Sequence, residues 1–79
     1  MDTQTFKDID VEKWERIAKS APVPIPPNKF TGTAEKDGFI IKWFYDKQQK
    51  LLTIKVIDKP YYFVDSIVRS KIETLVRDA

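Results

Sequence analysis

The chain has 79 residues, 42% of them hydrophobic and 33% charged, with 14 basic and 12 acidic side chains, no cysteine and no histidine. That length suits one small domain, burying only roughly 60% of the surface its unfolded form exposes, so the core must be used efficiently. The composition excludes disulfides, thiolate nucleophiles, cysteine zinc sites and histidine acid–base chemistry, and a small fold without staples is expected in a reducing, cytoplasmic compartment.

The apolar runs, such as the triplets at 39–41 and 43–45, fall far short of the roughly 20 residues of a membrane span. Residues 1–5 lack the basic-then-apolar pattern of a secretory leader and read as a frayed end, as do residues 78–79. Two Trp, three Tyr and five Phe set in a regular hydrophobic period argue against disorder.

The first predicted element is a helix over 10–20, where Val11, Trp14, Ile17, Ala18 and Ala21 follow three-and-four spacing. Asp10 is its expected N-cap, and Glu12 sits in the first turn, where the helix dipole favours an acid. Pro22, Pro24, Pro26 and Pro27 forbid helix and impose an extended strut over 21–27, spanning roughly 20 Å.

Residues 30–58 read as a three-stranded antiparallel meander, with strands at 30–36, 39–46 and 51–58. The Asp37–Gly38 pair is a strong hairpin signal of the type I′ class, and it pairs Lys36 with Phe39, Ala34 with Ile41 and Gly32 with Trp43. Gly32 then lies beneath an aromatic ring that covers the gap in its strand. The second hairpin must keep Ile41, Trp43 and Tyr45 on the same face as Leu52, Ile54 and Val56, which requires an even-numbered loop. A two-residue Gln48–Gln49 turn would need positive φ without Gly or Asn, so a four-residue loop over 47–50 is expected, with Asp46 opposite Leu51. The same register places Phe44 by Thr53, Lys42 by Lys55 and Ile40 by Ile57.

Pro60 ends the third strand. After an aromatic connection at 61–64, Asp65 or Ser66 caps a final helix over 65–77, whose face is Val68, Ile72, Leu75 and Val76. The fold class expected is α+β, a two-layer α-β-β-β-α domain covering 1–79 with both helices packed on one face of the sheet.

That arrangement leaves the outer sheet face as the candidate interaction surface: Ile40, Lys42, Phe44, Leu51, Thr53, Lys55 and Ile57. Four large apolar side chains on a free face form a patch that monomers seldom leave open. The bland alternative is that Phe6 and Ile9, or the aromatic residues 61–63, fold over it. If the face is open, a homodimer or a protein partner is expected to cover it.

Charge sharpens a second reading. Residues 28–60 carry seven lysines against four acids, whereas residues 1–27 carry four basic and five acidic groups. Lysines at 42, 47, 50 and 55 around Phe44 fit nucleic-acid binding, with a base stacking on the ring. Against it, none of the seven is Arg, and strand lysines commonly serve to protect sheet edges.

The remaining features favour structural roles. Pro24, Pro26 and Pro27 followed by Lys29 have the spacing that proline-groove domains read, but a strut packed on its own domain cannot enter a partner's groove. Tyr61, Tyr62 and Phe63 either close the end of the core or form the lip of an apolar pocket, for which a chain this short has little volume to spare. Ser66 and Ser70 lie one turn apart with no base expected beside them. Asp8, Asp10 and Glu12 lack the glycine and distal glutamate of a calcium loop. The expectation is a non-enzymatic binding domain without cofactor, metal or membrane attachment.

Overall fold

A computed structural model describes residues 3–79. The element order is β1 (Thr3–Phe6), α1 (Val11–Ser20), β2 (Thr31–Lys36), β3 (Phe39–Asp46), β4 (Leu51–Asp58) and α2 (Asp65–Asp78). All four strands form one antiparallel sheet in the order β1-β4-β3-β2. The chain is a small α+β domain, and its sheet has four strands rather than the expected three.

The additional strand is the N-terminal one. Of the end expected to fray, residues 1 and 2 lie outside the described residues, and Thr3, Gln4 and Thr5 pair with Lys55, Ile54 and Thr53. Antiparallel pairing with β4 satisfies the backbone groups, and β-branched threonines suit a half-exposed strand. Gln4 points to the inner face, where its buried side-chain amide donates to Glu73 Oε1 of α2 at 3.2 Å. Phe6 packs against the core from the same side.

The first hairpin has the register its turn dictates, from Lys36 with Phe39 to Thr31 with Phe44. Both central residues take positive φ, 54° at Asp37 and 87° at Gly38, as a type I′ turn requires. A Cβ at Gly38 would also meet Pro60 Cγ at 3.1 Å, so the turn leans on the chain leaving β4. The second hairpin pairs Asp46 with Leu51, leaving residues 47–50 as the loop. Asp46 Oδ1 accepts from the backbone N–H groups of Gln48 and Gln49 at 3.0 and 3.1 Å, and Lys50 closes the loop in the left-handed region at φ 57°. At the far end the ladder slips: a bulge sets Ile40 opposite Asp58, so the expected pairing of Ile40 with Ile57 is not made.

Helix α1 begins as its sequence indicates, with Asp10 Oδ1 accepting from Lys13 N–H at 2.7 Å. It ends at Ala21, in extended conformation ahead of Pro22. Helix α2 differs from expectation at its start. Its N-cap is Val64, with no side-chain cap, and Asp65 is the first helical residue, where its charge still faces the helix dipole. Lys59 takes up part of the positioning: Nζ donates to the Phe63 carbonyl at 2.8 Å and lies 3.3 Å from the Asp65 carboxylate.

One core cluster joins Trp14, Ile17 and Ala18 of α1 and Val76 of α2 to Trp43, Tyr45, Leu52 and Ile54 of the sheet. Tyr45 stacks on Trp14 at 5.3 Å, and its hydroxyl donates to the Ile9 carbonyl at 2.7 Å. The proline strut is part of this core, since Val23 and Ile25 are buried, and the two indoles hold the backbone at its end and just beyond. Trp14 Nε1 donates to the Pro27 carbonyl at 2.8 Å and Trp43 Nε1 to the Lys29 carbonyl at 2.9 Å.

Candidate functional site

Alternation along β3 and β4 places the seven candidate surface residues opposite the core-facing set. Phe44 is 54% exposed and Ile57 38%, with Lys42 and Lys55 also exposed and Ile40, Leu51 and Thr53 half-buried. The segments that could have covered them do other work. Ile9 is buried in the core and Phe6 packs against it, while the ring of Phe63 packs edge-on against Phe39 at 5.0 Å. β1 widens the sheet instead of crossing it, adding Thr3 and Thr5 beside Lys55 and Thr53, with the Thr5 and Thr53 hydroxyls 3.4 Å apart.

The register resolves how this face is organised. The Lys42–Lys55 pair forms a basic row across its middle. Phe44 and Leu51 lie on one side of that row, and Ile40 and Ile57 on the other, next to the bulge. The four apolar residues are thus two spots separated by charge rather than one patch. Glu35 pairs with Ile40 and Asp46 with Leu51, so each spot carries a carboxylate.

The aromatic connection divides its three rings unequally. Phe63 is half-buried against Phe39, whereas Tyr61 is 96% exposed and Tyr62 69%, the two packed edge to face at 5.5 Å. Exposed Val64 and Ile67 follow. Ser66 and Ser70 are exposed on α2.

A cavity of about 250 Å³ opens on the opposite side of the sheet. Its floor is Ile41, Trp43 and Ile54, and one wall is the apolar stripe of α2 with Val68, Ile72 and Leu75. Trp14, Ile17 and the strut residues Val23 and Ile25 form the other wall, and the packed rings of Phe39 and Phe63 stand at one end. Its ionisable lining side chains are Lys36, Asp37 and Lys71, all exposed and therefore at the mouth. The three-and-four pattern placed Ile72 and Leu75 on the inward face of α2, but their half-buried state follows from a gap between elements that periodicity does not encode.

Comparison with family models, with curated proteins and with solved structures finds no match. Among the described residues no group of three or more metal-ligating side chains comes together, and no helix is long and apolar enough to cross a membrane. Of the acids at 8, 10 and 12, Asp10 is engaged as a helix cap. Burial pushes the Tyr45 phenol above its ordinary value, and the charges of Asp10 and Asp46 push in the same direction. Its hydroxyl is committed to the Ile9 carbonyl, so it serves the core.

Proposed function

We propose that the protein is a non-enzymatic binding domain that associates with a second copy of itself through the outer sheet face. The reading takes the two-layer arrangement, with both helices on the inner side and the face around Phe44 left for a partner. The observation that carries it is Phe44, a large aromatic ring more than half exposed in the interior of a regular sheet. Burying such a ring removes apolar area from water at roughly 25 cal/mol per Å².

The charges of the face favour a second copy. Lys42 and Lys55 are balanced by Glu35 and Asp46, so two copies related by a two-fold axis can set the basic row of each against carboxylates of the other. The same carboxylates weaken the nucleic-acid reading, because a phosphate backbone held by Lys42, Lys47, Lys50 and Lys55 would also meet Glu35 and Asp46. The sheet edges are polar, with Thr3, Gln4 and Thr5 at one and Thr31, Thr33 and Glu35 at the other, which directs association to the face.

Sedimentation velocity over micromolar concentrations tests this. A concentration-dependent dimer, lost in Phe44→Ser, is expected; a monomer throughout refutes it. Binding of a fluorescent oligonucleotide that weakens with salt and with Lys42→Glu would instead favour the nucleic-acid reading.

A further inference from the structure

We propose that the cavity between α2, the strut and the sheet is a binding site for a small apolar carboxylate, a medium-chain fatty acid in size and chemistry. It lies on the core side of the sheet and is independent of the outer face.

The space sets the size of the ligand. At about 250 Å³ it is larger than the roughly 150 Å³ cavity that holds one benzene ring, and just below the roughly 300 Å³ at which drug-sized pockets begin. A single alkyl chain of medium length, or one ring with a short tail, fits these limits.

The lining sets the chemistry of the ligand's body. Both indole N–H groups are already bonded to backbone carbonyls, Trp14 to Pro27 and Trp43 to Lys29, so the walls offer ring surface and not donors. Among the described residues no buried side-chain nitrogen or oxygen lacks a partner. A polar group carried inside would lose its hydration without gaining a bond. The buried portion of the ligand is therefore hydrocarbon, and its polar end remains at the mouth.

The mouth sets the charge of that end. Lys36 and Lys71 stand there against the single carboxylate of Asp37. Ion pairs of the described residues engage Lys59, Arg69 and Arg77, and among those residues neither Lys36 nor Lys71 has an anionic partner. The two lysines come from distant parts of the chain, the end of β2 and the middle of α2. Two free ammonium groups at the rim of an apolar hole complement an anionic head on an apolar tail.

Trp14 and Trp43 are the only tryptophans of the chain, and both line the cavity, so intrinsic fluorescence reports directly on its occupancy. Titration with decanoate below its micellar range should change the tryptophan emission saturably. Decan-1-ol, with the same tail and no charge, should bind at least about tenfold more weakly. The exposed double variant Lys36→Gln/Lys71→Gln should bring decanoate down to the level of the alcohol. Ile72→Phe, which fills the cavity, should abolish the signal, and if that variant fails to fold the lysine variant still decides the question. Phe44→Ser should leave decanoate binding unchanged, whatever it does to the oligomeric state. No saturable emission change, equal binding of acid and alcohol, or loss of binding in Phe44→Ser with none in the lysine variant would each overturn the proposal.

Discussion

Replacing Gly32 by alanine adds one methyl group, and its sign as a stability change is not obvious in advance. Alanine in a strand interior is ordinarily favoured over glycine by about 0.5–1 kcal/mol, because glycine loses more backbone freedom on folding. Here the added Cβ would lie 2.8 Å from Trp43 Cζ2 and 3.0 Å from Cη2. The indole cannot swing aside freely, since it is buried and its Nε1 is bonded to the Lys29 carbonyl at 2.9 Å. Overpacking of this kind costs about 1–3 kcal/mol, which outweighs the entropic gain. A net loss of about 1–2 kcal/mol is expected, or roughly 5–15 °C in melting temperature for a domain of this size. Urea denaturation followed by circular dichroism measures it. The clashing atoms belong to the six-membered ring of the indole, so in a Trp43→Phe background the same substitution should cost less, and the double-mutant cycle should show a coupling of about 1 kcal/mol. Equal or greater stability of Gly32→Ala in the wild-type background would refute the argument that the tryptophan rests directly on the glycine.

The Tyr45 phenol titrates above 10.0 when folded, so the unfolded state releases its proton first and stability should fall as pH rises above 10.0. Tyr45→Phe should make that fall shallower in denaturation series across pH 9–12, while costing about 1–2 kcal/mol at neutral pH by leaving the Ile9 carbonyl without its donor; an unchanged alkaline profile would remove Tyr45 as its source. Lys59→Met keeps the aliphatic stem and removes the donor to Phe63 and Asp65. Because Asp65 is largely exposed, a loss of about 1 kcal/mol is expected from urea titration, and wild-type stability would show that this lysine does not hold the junction.

The meander was legible because its signals are local. Asp37–Gly38 sets one register, and the shared parity of Trp43 and Ile54 sets the other without reference to distant residues. Strand β1 was not, since Thr-Gln-Thr-Phe contains one apolar residue and its pairing partners begin 46 positions further on at Leu52. Gln4 reads as a surface residue until Glu73, on the last helix, gives its amide a partner. The bulge that sets Ile40 opposite Asp58 likewise has no local signal in the sequence. For the candidate site, alternation identified which side of the sheet each residue faces. It could not show that lysines divide the apolar residues into two spots, or that the inward faces of α2 and the sheet leave room between them. Those are properties of spacing between elements, and pattern reports only direction.

The placement of β1 bears on the order in which the fold assembles. Both hairpins close over short turns and can form early, whereas Thr5 meets Thr53 only after a loop of 48 positions is closed. Four residues of ladder return little for that closure unless β4 already stands in place with its partner β3. The first strand of the chain is thus the one whose docking presupposes the others, and the N-terminal segment completes the sheet rather than initiating it.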